Sequence, residues 1–393
     1  MKKLTLCAFF DAFGWEVFQR YGFMAHRIRD ARPLDSVFGF SSAADPSILT
    51  GAYPESHQHW SSFYYDPKNS PFKALKWLAH LPGNAAESWR VRHQLSKWIA
   101  RQKRYTGYFE MYSVPFDVLP YFDYLEKRDY FVPGGIIQGT TIFDQFHAAG
   151  LPYHCSNWRE SEARCRQALE QEIIAGQIRF AYLYQPKLDA LMHRVGPDHP
   201  EVEAKIRDYE KHLEALLKLA EQHYDEVVFY GFSDHGMAAV TDTVDLISPI
   251  EKQMKARGLR FGQDYVAMYD STMARFWFPG QNPGAARNVV EQALKPFENR
   301  GSWVSAAQMK QWGCDFGHQR FGEAIFLLRS GGLIVPSYMG RKAIAGMHGY
   351  DPTHKDSRAF LVSNRPISST VNSITHLRNI MVKETLHTAE VAL

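Results

Sequence analysis

An α/β fold follows from three features of the 393-residue sequence. Short apolar runs of the kind that form buried strands alternate with longer segments of helical periodicity. Three of those runs end in acidic or histidine residues, as strands do when their carboxyl ends meet at one ligand-collecting rim. The length also exceeds the roughly 100–200 residues of an ordinary domain, which leaves room for insertions in a large α/β core.

The first strand is expected over residues 4–10, Leu-Thr-Leu-Cys-Ala-Phe-Phe, with Asp11 at its carboxyl end. Two later runs repeat the arrangement: residues 178–184 before Gln-Pro-Lys-Leu-Asp189, and Glu226–Phe232 before Ser-Asp234-His235. Between them lie helical patterns over residues 160–175 and Pro200–His223, the second dense in Glu, Lys, Leu and Ala with apolar spacing near three and four. Residues 61–150 are different in kind, with Tyr, Phe and Trp clusters, several prolines and a basic run at 89–104, and are expected to form an inserted cap. Residues 262–338 are expected to form a small α+β subdomain, since strand-like 273–278 and Ala324–Leu328 flank a helical pattern at 285–297. The core then comprises residues 1–60, 151–261 and 339–393, with no internal repeat.

Composition excludes several classes. Lys plus Arg exceed Asp plus Glu by only three, too little for a nucleic-acid polymer to be expected as partner from net charge. No run approaches the ~18 apolar residues of a membrane span, and the apolar stretch behind Met1-Lys-Lys is too short for a signal peptide, so a cytoplasmic protein without a transmembrane anchor is expected. Cys7, Cys155, Cys165 and Cys314 show no metal-ligand or redox spacing and read as free thiols.

The chemistry lies in scattered acids and histidines. Asp189 and His193 stand at i and i+4, so both side chains reach the same point beside a helical turn. Asp234 and His235 are adjacent, and can share an ion only where the strand has ended, which Gly236 permits. His348 lies in Gly346-Met-His-Gly-Tyr-Asp351. With Asp11 these supply the mixed oxygen and nitrogen donors suited to Zn²⁺, or to Mn²⁺ as the second choice, in number enough for two ions. Each pair alone also reads as a solvated ion pair or a capping residue beside a surface histidine. A hydroxyl for such ions to activate is found in Gly39-Phe-Ser-Ser-Ala-Ala-Asp-Pro, where a helix is expected to start at Pro46 with the serines just ahead of it, in the anion-favouring field of its N-terminus.

Residues 46–57, Pro-Ser-Ile-Leu-Thr-Gly-Ala-Tyr-Pro-Glu-Ser-His, resemble the nucleophile region of the alkaline phosphatase superfamily, in particular its nucleotide pyrophosphatase / type I phosphodiesterase branch; Asp234-His-Gly-Met and His348-Gly-Tyr-Asp match the same branch. The resemblance implies an alkaline-phosphatase-like sandwich, a central mostly parallel sheet flanked by helices. It also implies a nucleophile ten residues before Gly51, which is Ser41, with Ser42 the alternative if the register slips by one. Asp189, His193 and His348 would hold one divalent ion, and Asp11, Asp234, His235 and the Ser41 oxygen the other. The implied reaction is hydrolysis of a small phosphodiester or diphosphate through a covalent intermediate on Ser41. One departure stands out: the branch is expected to carry Asn three residues after the nucleophile, and this chain has Ala44.

The alternatives are a phosphomonoesterase using the same ions, a metal-free serine hydrolase suggested by Gly39-Phe-Ser-Ser-Ala43, and a non-catalytic binding protein. For residues 89–104 the plain reading is a helix packing Val91, Leu95 and Trp98 inward with its basic residues solvated; the other is phosphate or base recognition. Substrate-binding residues are not assigned.

Overall fold

The computed structural model describes residues 2–80 and 88–386; residues 81–87 of the expected cap, and Met1 and 387–393 of the expected core, lie outside them. Six strands, β1 (Lys3–Phe10), β2 (Asp30–Leu34), β3 (Tyr153–Cys155), β4 (Phe180–Gln185), β5 (Glu226–Phe232) and β6 (Ala359–Ser363), form one sheet in the order β2-β6-β5-β1-β4-β3. β1 runs parallel to both β4 and β5, and β3 parallel to β4, whereas β6 is antiparallel to β5 and β2. The sheet is therefore mostly parallel. β1 is buried along nearly its whole length, as a central parallel strand covered on both faces must be.

Alternation assigns the two faces. Leu4, Leu6, Ala8 and Phe10 pack with the helices Glu162–Ala175 and Pro200–His223, while Cys7 and Phe9 face a second core that holds Phe38, Ile48 and Trp60. Four helices matter below: α1 (Ser41–Thr50), α2 (Trp89–Lys103), α3 (Lys187–Val195) and α4 (Pro200–His223). α4 begins with Pro200 in its first turn and an N–H of that turn bonded to His199, and it buries Val202, Ile206, Tyr209, Leu213, Leu216, Leu217 and Ala220 along one stripe.

A second, antiparallel sheet joins Val266–Tyr269, Met273–Trp277, Ala324–Leu328 and Gly301–Trp303 in that order. It is buried on both faces. Ala324, Phe326 and Leu328 pack with Phe63, Ile99, Phe109 and Tyr124, so segments 61–150 and 262–338 share one core; Ile325 and Leu327 face the core that contains Phe9 and Trp60. The junction is clamped by Arg275, which is fully buried yet satisfied: Nε donates to Asp270 Oδ2 (2.7 Å), Nη1 to the Phe63 and Phe321 carbonyls (3.0 and 3.1 Å) and Nη2 to Ser61 Oγ (3.0 Å). A guanidinium persists in such a place only when its donors are spent this fully.

Candidate metal centre

The carboxyl ends of β1, β4 and β5 bring Asp11, Asp189, His193, Asp234 and His235 to one rim, and Ser41 from the start of α1 and His348 from the segment after Met347 join them. Asp11 follows β1 directly and accepts a hydrogen bond on Oδ2 from Tyr184 Oη at 2.7 Å. Asp234, wholly buried, accepts on Oδ1 from the Ala12 N–H at 3.1 Å, which ties the β5 loop to the β1 loop. His235 follows, its Nδ1 2.9 Å from the Gly236 carbonyl and its Nε2 2.9 Å from Asp234 Oδ2. Gly236 is needed for close approach: a Cβ there would stand 2.3 Å from the Asp356 carbonyl oxygen. Asp189 and His193 lie on α3 with Oδ1 and Nε2 3.2 Å apart, and His193 Nδ1 sits 2.8 Å from the Gly346 carbonyl. That second contact fixes the ring with Nε2 toward the cluster, the usual way of presenting an imidazole to a cation. His348 Nε2 lies 3.7 Å from the same Asp189 oxygen.

Potential ligand atoms thus gather into two groups, Asp189/His193/His348 and Asp11/Asp234/His235, each within 4.8 Å of one another. The groups touch where the rings of His235 and His348 stack, 3.8 Å between centroids. Their electrostatics are those of a cluster holding its charges against each other. Burial, with Asp234 and Asp189 adding repulsion, pushes the Asp11 carboxyl well above the usual range. Burial opposes charge on His235, yet Asp234, Asp11 and Asp189 raise it to about 10. Burial and the neighbouring His235 charge push His348 well down, while Asp189, despite its burial, is drawn to about 2 by His193 and His348. The protons this puts on Asp11 and His235 offset negative charge that a divalent cation would offset. Asp11 Oδ1 is buried without a hydrogen-bond partner. An orphaned carboxylate oxygen among three acids and three imidazoles is a donor set that fits transition-metal ions.

Ser41 is the first residue of α1, its Oγ 3.2 Å from His235 Nε2. The expected helix start at Pro46 is corrected: the Ala43 and Ala44 N–H groups already bond the Phe40 carbonyl, so the first turn is wound before Pro46, which lies inside the helix. The unpaired N–H groups of a first turn and the helix dipole consequently fall at Ser41 itself. Gly51, in the left-handed region at φ 69°, ends the helix. Ser42 also lines the cavity above the rim, but its hydroxyl donates to the Trp60 carbonyl at 3.2 Å, and Ala44 is buried in the core beneath the helix. His57 is structural, bonded to Ser47 of α1 at 2.9 Å.

Above the rim lies a cavity of about 690 Å³ lined by Asp11, Ser41, Asp189, His193 and His348 together with residues the sequence reading left unassigned, among them Asp45, Ser61, Ser62, Glu126, Asp129 and Trp158. Tyr108 and Tyr112 line it too, whereas Phe109 and Phe116 are core. Ser62 Oγ donates to Glu126 Oε1 at 2.7 Å, and burial lifts the Glu126 carboxyl to about 7. In sequence Glu126 stands in Leu-Glu-Lys-Arg-Asp, which reads as an ordinary charged loop; no local signal marks it.

The sheet order, the flanking helices and the rim of acids and histidines make this an alkaline-phosphatase-like α/β protein. The chain belongs to the type I phosphodiesterase / nucleotide pyrophosphatase family, whose sequence profile matches residues 10–351. No curated protein matches it significantly by sequence. Among solved structures it is similar to murine ectonucleotide pyrophosphatase / phosphodiesterase 5 (TM-score 0.65, 16% identity, 97% of this chain and 94% of that one) and to the human protein of that name (TM-score 0.66, 15% identity, 97% and 94%). It is also similar to an inactive variant of the murine protein in complex with AMP (TM-score 0.64, 15% identity, 98% and 95%). At such identities the likeness speaks for the fold.

Proposed function

We propose that the protein is a two-metal hydrolase of phosphodiester or diphosphate bonds in which Ser41 is the nucleophile. The observation that carries this reading is the position of Ser41 Oγ, at a helix N-terminus and 3.2 Å from His235 within the paired acid and histidine groups. Asp189, His193 and His348 would hold one ion and Asp11, Asp234 and His235 the other, with Zn²⁺ the best match to the donors and Mn²⁺ the next. When bound, such ions supply Lewis acidity to the attacking and departing oxygens.

The chain's own groups do the rest. Ser41 Oγ gives its proton to solvent and bonds phosphorus as the P–O bond to the leaving group breaks, its electron pair departing with that oxygen; water then attacks the Ser41 phosphoester, giving a proton to solvent, and the broken P–Oγ bond returns Ser41 with release of the phosphate product. N–H groups of the first turn of α1 receive a non-bridging phosphate oxygen. Tyr184 keeps Asp11 oriented, and the Gly346 carbonyl keeps His193 oriented. The bond of the Ser42 hydroxyl to the Trp60 carbonyl supports Ser41 over its neighbour, and Ala44, packed in the core with no polar side-chain atom, leaves the phosphate contact to other donors. The AMP complex of the murine relative supports a small nucleotide as one substrate to try. Four free thiols support a cytoplasmic setting, where disulfides are rare.

The test is hydrolysis of bis-p-nitrophenyl phosphate against p-nitrophenyl phosphate, before and after chelation and Zn²⁺ or Mn²⁺ replacement. Metal-dependent preference for the diester is expected. Preference for the monoester would move the protein to the phosphatase reading, and metal-independent turnover of either would overturn the ion assignments.

A further inference from the structure

Helix α2 is rotated by about one residue from its expected orientation: Leu95 packs against the core as expected, whereas Val91 and Trp98 do not. Arg92, Ser96 and Ile99 are its buried residues, while Trp89 (69% exposed), Trp98 (56%) and Val91 (39%) face water. The inward polar groups have partners: Arg92 Nη1 donates to the Val114 carbonyl (2.7 Å) and its guanidinium lies 4.2 Å over the Phe116 ring, and Ser96 Oγ donates to Glu110 at 2.8 Å. The helix is held in place by these contacts, so its apolar side chains are presented outward by a fixed backbone. Trp77, on the helical turn Lys73–His80, is also exposed (61%).

Around these rings the charge is of one sign. Between Lys68 and Phe109 the sequence has nine Lys or Arg against one carboxylate, Glu87. Lys73, Lys76, Arg90, Lys97, Arg101, Lys103 and Arg104 are exposed, and among the described residues Arg90, Lys97 and Arg101 are paired with no carboxylate. Glu110, which faces the helix, is occupied by Ser96 and by His93 (2.7 Å). A solvated helix face gains nothing from the exposed Trp98 and Val91, whose apolar surface loses water-exclusion free energy there. A surface that combines an indole ring with unpaired cations matches an anionic bilayer interface, where indoles settle at the headgroup level and each cation is attracted by the lipid charge.

We propose that the face of α2 carrying Val91, Lys97, Trp98 and Arg101 is a docking surface for an anionic lipid bilayer, to which the protein binds peripherally. Among the described residues no helix is long and apolar enough to span a membrane, so the contact lies in the interface plane. The surface leads toward the catalytic rim: Tyr108, four residues beyond the Arg104 cap of α2, is both exposed and part of the cavity wall. The docking face stands whatever ester the cavity cleaves.

The test is flotation of the whole protein with phosphatidylcholine vesicles and with equimolar phosphatidylcholine and phosphatidylglycerol vesicles. Flotation is expected only with the anionic vesicles and is expected to fall as salt screens the cations. Lys97→Gln with Arg101→Gln should weaken it about thirty-fold. Val91→Ser with Trp98→Ser should abolish it, and both double variants should retain wild-type turnover of bis-p-nitrophenyl phosphate, which shows that they fold. Absence of flotation at low salt, or flotation unchanged in both variants, overturns the proposal. So does binding of single-stranded RNA that the same variants lose while vesicles are ignored, which would assign the face to nucleic acid.

Discussion

Replacing Glu126 by glutamine isolates the cost of a carboxyl facing the cavity. In the folded protein burial lifts this group from its ordinary 4.5 to about 7, and Ser62 Oγ–H remains on Oε1. The amide oxygen of glutamine accepts the same hydrogen bond, so the substitution removes ionisation and little else. The folded state holds the proton more tightly than the unfolded one, so the carboxyl carries no penalty below about pH 4.5, where both states are protonated. As pH rises from 4.5 to 7 the unfolded state releases its proton first and stability falls; above 7 the penalty levels at about 3 kcal/mol. Glu126→Gln should accordingly stabilise by under about 1 kcal/mol at pH 5 and by about 3 kcal/mol at pH 8. With an unfolding entropy of about 2.1 cal/mol/K per residue, 393 residues turn the larger figure into a rise of about 4 °C in Tm. Differential scanning fluorimetry of variant and wild type at the two pH values measures the difference and cancels every other titrating group. An equal Tm difference at both, or a loss at pH 8, would show that Glu126 titrates as an ordinary surface acid.

Ser41→Ala should abolish diesterase turnover while bound metal, measured by mass spectrometry, stays at the wild-type level; Asp234→Ala and His348→Ala should lower both. Ser42→Ala should keep most activity and cost about 1 kcal/mol in urea unfolding, the worth of its bond to the Trp60 carbonyl. Retention of activity by Ser41→Ala and its loss in Ser42→Ala would exchange the two roles. Tyr184→Phe removes the hydrogen bond that orients Asp11 and should weaken metal affinity about 10- to 100-fold in a competition titration, with the fold unchanged by circular dichroism. Arg275→Leu leaves Asp270 buried and unpaired beside the Ser61 and Phe63 carbonyl contacts it strips away, and should destabilise by about 3–5 kcal/mol in urea unfolding.

Sequence alone determined what depends on local chemistry and short-range periodicity. The apolar runs marked β1, β4 and β5, and the residues just past their ends are Asp11, Asp189 and the Asp234–His235 pair, because a strand's carboxyl end and the first turn after it are both local features. The i, i+4 spacing of Asp189 and His193 placed two side chains on one turn of α3 without knowledge of anything else. Tertiary structure decided what depends on partners distant in the chain. Which serine faces His235 is set by Trp60 taking the Ser42 hydroxyl, and the start of α1 by the Phe40 carbonyl collecting the first N–H groups ahead of Pro46. Glu126 enters the cavity because Ser62, sixty-four residues earlier, meets it there. The orientation of α2 departs from the expectation set by its apolar pattern: backbone carbonyls at Tyr112 and Val114 and the ring of Phe116 receive a buried arginine, so that Leu95 keeps its expected inward place while Val91 and Trp98 turn outward. Periodicity registers which residues share a face of a helix; only the surface it packs against decides which face turns inward.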